Sequence, residues 1–175
     1  MKQINIRGFS LLEVLITILL ISIGLLGMVA MQGRAIQYTQ DSIERTNAAV
    51  LANELLEIVR SAPSGLLDDP EDSPFLFNSL PASINDGCLA IDADDLIETQ
   101  VGCWAARVRT LLPDADDLSA EFLSCISSSP GTCDDDGAAL EIRMAWNAAG
   151  EGCLDAESND GLDSRLCTFT FRTQI

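Results

Sequence analysis

The sequence predicts an α+β protein in which a long N-terminal helix, membrane-spanning and then amphipathic, packs against a small antiparallel-sheet head. Three observations predict this. An apolar run with one charge occupies residues 9–31, and a proline-free segment with apolar residues at helical spacing continues to residue 60. Two short stretches, 140–146 and 167–172, alternate apolar with polar side chains as half-buried strands do. At 175 residues the chain suits one ordinary domain and is too short for two with a linker.

The first element is FSLLEVLITILLISIGLLGMVAM, Phe9 to Met31, 23 residues with Glu13 the single charge. At ~1.5 Å per residue such a helix crosses a hydrocarbon core of ~30 Å. Its Leu, Ile, Val and Phe side chains favour insertion by about 4–8 kcal/mol, against up to about 3 kcal/mol for one carboxylate near the end of the span. Lys2 and Arg7 precede the run. That bias places the N-terminus in the cytoplasm and the rest of the chain across the membrane. The run is longer than the apolar core of a secretory signal peptide, and no A-x-A cleavage site follows it. An anchor is expected.

The helix is expected to continue past the membrane. Ile36, Ile43, Val50, Leu51, Leu55 and Ile58 read as one stripe turned toward the head. Asp41 with Arg45, and Glu54 and Glu57 with Arg60, read as exposed pairs three or four residues apart. Pro63 ends the pattern, because the residue before a proline avoids helix. One helix over residues 9–60 follows.

The head differs sharply in charge. Residues 1–62 hold five basic and five acidic side chains, whereas residues 63–175 hold five arginines against 22 acids, which accounts for the whole net charge of −17. All six cysteines lie here, at Cys88, Cys103, Cys125, Cys133, Cys153 and Cys167. An even count without any CxxC pair, beside no histidine, reads as disulfides formed in an oxidising compartment. Fifteen pairings of six cysteines are possible and sequence does not choose among them. The sequential pairs are attractive because 125–133 and 153–167 each close a local loop, leaving 88 for 103.

Within the head, Asp95 and Glu98 resemble a capping box, and Ile97, Val101, Trp104, Val108 and Leu111 line one helical face up to Pro113. Residues 95–112 are therefore expected as a helix with Trp104 in the core. A shorter helix is expected at 115–126, with acids in its first turn. Leu140, Ile142, Met144 and Trp146 form one strand and Cys167, Phe169 and Phe171 another, paired antiparallel across a turn-rich loop. The sheet should pack on the stripe of the long helix.

At Arg7-Gly8-Phe9-Ser10-Leu11-Leu12-Glu13 the sequence resembles the class III signal of type IV pilins and of type II secretion pseudopilins. The resemblance implies a leader, residues 1–8, cut after Gly8 by prepilin peptidase, and N-methylation of Phe9. It implies that Glu13 pairs with the new amine of a neighbouring subunit and sets register. The physics agrees, since a carboxylate in a lipid-buried turn needs a partner. Further matches are Ile21–Gln40, Leu51–Ser61, Leu140–Asn147 and Cys167–Thr173, which resemble the PilV family of type IV pilus modification proteins. The domains expected are the leader, the helix at 9–62 with 9–31 in the membrane, and a disulfide-containing head at 63–175. The implied fold is type IV pilin-like. The implied role is a minor pilin in the inner membrane with a periplasmic head, later part of the pilus and supporting twitching motility. Its implied partners are prepilin peptidase, other minor pilins, the major pilin and the inner-membrane assembly platform. Without the leader the chain has no lysine and a side-chain charge of −19.

Enzymatic chemistry is not expected. No histidine is present to complete a Ser-His-Asp or Cys-His site, so no catalytic residue, cofactor or metal is assigned. The negative charge argues against nucleic acid. Aspartate runs at 92–95, 134–136 and 155–160 supply oxygen ligands but match no EF-hand spacing. Two alternatives stand beside the pilus reading: a minor pseudopilin of type II secretion, and a membrane-anchored head that binds its partner with calcium.

Overall fold

The computed structural model of the chain describes residues 10–62, 73–84, 88, 96–134, 137–150, 152–153 and 165–174. They form helix α1 (Leu11–Ser61), helix α2 (Leu96–Leu111), a 3-10 turn at Ser119–Glu121, and strands β1 (Leu123–Ser127), β2 (Ala139–Asn147) and β3 (Leu166–Gln174). The chain divides into two compact units, with the boundary inside α1 between Thr39 and Gln40. In the N-terminal unit every described residue is exposed.

In the second unit, α1 buries Ala48, Leu51, Ala52, Leu55, Leu56 and Val59. These positions recur at three- and four-residue spacing, so they occupy one face. Trp104 and Val108 of α2 and Leu140, Ile142 and Met144 of β2 share the same core. Each such side chain contributes about 1.5–3 kcal/mol by leaving water. The face on α1 differs from the expected stripe. Leu51 and Leu55 are buried and Ile58 packs at the edge, whereas Ile36, Ile43 and Val50 are 59%, 55% and 54% exposed. Val50 lies about 100° around the helix from Leu51. Ile36, Ile43 and Val50 form a second, exposed row, and the small side chains of Ala48 and Ala52 lie on the buried face.

Two acidic residues of α1 also depart from expectation. Asp41 is buried instead of exposed. Glu54 pairs with Arg107 of α2, while Glu57 keeps Arg60 at 2.9 Å.

Helix α2 matches the expected element closely, although Asp95 lies outside the described residues. Leu112 is buried where Leu111 was expected, and Leu111 stays 38% exposed. Trp104 is in the core and donates its indole N–H to the Leu51 carbonyl at 2.9 Å, tying α2 to α1. Gly102 permits a close approach: a Cβ there would sit 2.6 Å from Ile84 Cγ1, and Ile84 donates its N–H to the Gly102 carbonyl.

The sheet is an antiparallel meander in the order β1-β2-β3. Strands β2 and β3 pair with Ile142 opposite Phe171 and Trp146 opposite Cys167. Strand β1 replaces the helix expected at 115–126. Asp114 takes a left-handed φ of 59°, the 3-10 turn follows, and Leu123–Ser127 then pairs with Ala139–Arg143. Leu118, Phe122 and Ile126 have helical spacing, but the edge of β2 offers backbone partners and a disulfide holds Cys125 to Cys133. Tertiary pairing overrides the local pattern. On the other edge of β1, Phe77 and Ser124 exchange backbone hydrogen bonds of 2.9 and 2.8 Å. Strand β2 is central and buried on both faces, including Glu141 and Ala145, which the alternating pattern had placed outward.

Candidate functional site at the start of α1

Helix α1 begins at Leu11, just after Ser10, whose carbonyl accepts from the Glu13 N–H at 3.0 Å and the Val14 N–H at 3.3 Å. Glu13 is the one acid of the first turn. The unsatisfied N–H groups of a helix start carry partial positive charge, so a carboxylate is favoured there. Gly8 and Phe9, the expected processing pair, lie outside the described residues.

Beyond Glu13 the segment to Met31 is apolar around its whole circumference, with Leu26 71% and Met31 78% exposed. A helix buried in its own protein hides one stripe at least; this one hides none. It is long and apolar enough to cross a membrane. The hydroxyls within it are satisfied internally, as hydrocarbon requires. Thr17 donates to the Val14 carbonyl and Ser22 to the Ile18 carbonyl, each at 2.8 Å. A Cβ at Gly24, Gly27 or Gly33 would meet nothing within 4 Å, so no contact inside this chain demands glycine there.

Residues 4–29 match the prokaryotic N-terminal methylation motif. The match brackets Gly8, Phe9 and Glu13 and supports a type IV pilin-like protein. A long N-terminal apolar helix together with a small three-stranded antiparallel head is the α+β, pilin-like architecture. Such a motif implies processing by prepilin peptidase and assembly with other pilins in general. No curated protein and no solved structure matches the chain.

In the head the six cysteines form three disulfides, Cys88–Cys103, Cys125–Cys133 and Cys153–Cys167, the sequential pattern. The aspartate runs at 92–95 and 155–160, with 135 and 136, lie outside the described residues. Asp134 accepts from the Ser128 backbone N–H at 3.0 Å and from its hydroxyl, closing a loop.

Three carboxylates have roles that the sequence did not single out. Asp41 accepts the Trp146 indole N–H at 3.2 Å, with Cys167 Sγ 3.6 Å from the same oxygen. Glu141 is buried and accepts from the Gly131 N–H at 3.1 and 3.0 Å, pinning a turn where glycine holds φ at 82°. Glu44 has its carboxyl pushed above the ordinary glutamate range, first by burial and then by the neighbouring charge of Asp41. Each depends on partners far away in sequence or on local packing, which leaves no periodic signal to read.

Proposed function

We propose that this chain is a minor pilin of the PilV type. Prepilin peptidase cuts after Gly8, Phe9 is methylated, and the mature chain enters a type IV pilus through α1. The observation that carries the reading is the methylation motif matched over residues 4–29, together with a helix from Leu11 whose apolar residues as far as Met31 are exposed on every side. Such a surface is costly in water, and a bilayer or the helices of neighbouring subunits cover it. Glu13 gains the amine of an adjacent subunit as its counter-charge, which makes docking register-specific. The head, held by three disulfides, faces the periplasm before assembly. The protein acts by assembling, without catalysis of its own. Its place is in the complex of minor pilins that primes the fibre near its tip and supports twitching, with the major pilin and the inner-membrane platform as partners.

The test is N-terminal peptide mass spectrometry on the chain from native membranes, with and without the peptidase gene. A peptidase-dependent start at methylated Phe9 is the expected result. An intact Met1, or cleavage beyond Met28, would overturn the reading. Loss of surface pili on deletion of the chain, with exoprotein release unchanged, is expected for a pilus subunit; the reverse pattern assigns it to secretion.

A further inference from the structure

We propose that Arg34 and Tyr38, one turn apart on α1, bind the phosphate of a phospholipid headgroup in the leaflet that the end of the apolar run reaches. The inference rests on the membrane-spanning part of the proposed function above, and not on the pilus.

Arg34 is exposed and is the one arginine among the described residues with no hydrogen bond or ion pair inside the chain. The others are all engaged. Arg60, Arg107 and Arg109 pair with Glu57, Glu54 and Asp116, and Arg143 and Arg172 donate to the Glu121 and Ser127 carbonyls. Arg45 and Arg165 have partners too. In a chain with 27 acidic side chains, a cation left open is an exception. Its cause is local: no acid lies between Glu13 and Asp41, so no carboxylate falls three or four residues from Arg34 on either side. Tyr38 is the only tyrosine of the chain and is 59% exposed. Its phenol oxygen also has no partner among the described residues.

Position supplies the ligand. From Leu11 to Met31 the apolar helix is ~30 Å long, the thickness of a hydrocarbon core. Arg34 lies about 4.5 Å past Met31 along the axis and Tyr38 about 10 Å past it. The headgroup layer beyond the core is about 5–7 Å thick. Helical side chains lean toward the N-terminus of their helix, which in α1 is the membrane end. The Tyr38 ring is thereby carried back into the headgroup layer, and the flexible stem of Arg34 lets its guanidinium reach the same level. Residues four apart share a helix face with Cβ atoms about 5–6 Å from each other, so one phosphate reaches both groups. A guanidinium holds two phosphate oxygens in parallel, and the phenol donates to a further oxygen of the ester. Tyrosine is also at home in this layer, with its ring toward the chains and its hydroxyl toward water. Lipid phosphates already lie at this depth on every side of the helix, whereas a carboxylate would have to be brought there by another protein. A phosphate held in this way resists sliding of α1 along its axis.

The test is carbon–phosphorus dipolar recoupling by solid-state NMR. The full chain is labelled at the arginine guanidinium carbon and reconstituted in vesicles of phosphatidylethanolamine and phosphatidylglycerol. Dephasing of the label by lipid phosphorus is the expected result. Arg34→Gln should lower it at least twofold and Tyr38→Leu by a smaller factor, whereas Arg60→Gln leaves it unchanged. Near-ultraviolet circular dichroism on each variant verifies that the head stays folded. Dephasing indifferent to Arg34→Gln overturns the proposal. So does equal dephasing in maltoside micelles with millimolar inorganic phosphate, which assigns a soluble anion. Absence of dephasing in the vesicles overturns it as well and leaves the guanidinium to a carboxylate of a neighbouring subunit. Phe9 methylation, read on the same sample, separates the two readings. A methylated chain without Arg34-dependent dephasing sinks the lipid site alone, and such dephasing on a chain with intact Met1 sinks only the pilus.

Discussion

Trp146 of β2 donates its indole N–H to the buried carboxylate of Asp41 on α1, across 105 residues of chain. The contact joins the long helix to the end of the sheet next to the Cys153–Cys167 disulfide. It fixes which face of α1 the head meets, because an acid buried at that point needs its donor. Asp41→Ala should destabilise the head by about 1–3 kcal/mol, the cost of leaving a buried donor unmatched. Asp41→Asn keeps an acceptor and should cost less. Urea unfolding in detergent, followed by near-ultraviolet circular dichroism, measures both. A double-mutant cycle with Trp146→Phe should show coupling of at least ~0.5 kcal/mol; independent effects would remove the contact from the account.

The rotation of α1 about its axis predicts opposite outcomes for residues of similar size. Leu55→Ala, at a fully buried site, should cost about 2–5 kcal/mol through lost burial and the cavity left behind. Ile43→Ala and Val50→Ala, on the exposed side, should each fall within about 0.5 kcal/mol. Comparing the three unfolding midpoints checks the assignment. Equal losses would mean that the face is wrongly placed.

The Cys153–Cys167 disulfide, with a sequence separation of 14, ties the start of β3 to the loop before it. Replacing both cysteines with serine should cost about 3 kcal/mol in the chain-entropy account of a loop this size. Peptide mapping without reductant should recover the three sequential pairs, and any crossed pair would contradict the fold.

Glu44 sets a pH dependence with a definite sign. Its folded carboxyl titrates above the ordinary glutamate value, raised by burial and by Asp41, so folding favours the protonated form. The stability contributed by that preference is fully present below the ordinary glutamate pKa and is lost as pH rises through the raised one. The charged groups nearby are Asp41 and Arg45 on α1 and Arg109 and Asp114 from the end of α2. Glu44→Gln should therefore stabilise the head at neutral pH. Its advantage should shrink as pH falls through the raised value toward the ordinary one. Stability curves of the two proteins between pH 4 and 8 measure this, and parallel curves would contradict it.

Much of the architecture was legible in the residues. The apolar run, the helix ended near Pro63, the amphipathic α2 and the alternation of β2 and β3 are local patterns, and local patterns survive in sequence because backbone period and side-chain polarity must agree. The methylation motif was legible for the same reason: it is one contiguous stretch, residues 4–29. Strand β1 was not. The spacing of Leu118 and Phe122 before it with Ile126 inside it suits a helix, and the free edge of β2 and the Cys125–Cys133 bridge make it a strand.

What the sequence determined by itself, then, is a membrane-competent helix carrying a methylation motif and an acidic, cysteine-paired α+β head. Only the tertiary structure decided which side of α1 is inside, that Asp41 is buried against Trp146, and that Glu44 lines a groove beside the end of α2. The reason is physical. Helix and strand periodicity report which residues share a face, whereas the choice between two competing faces depends on the shape and hydrogen-bonding groups of the surface that packs there. That surface is built from segments more than fifty residues away, such as the Trp104 indole that meets Leu51 across 53 residues.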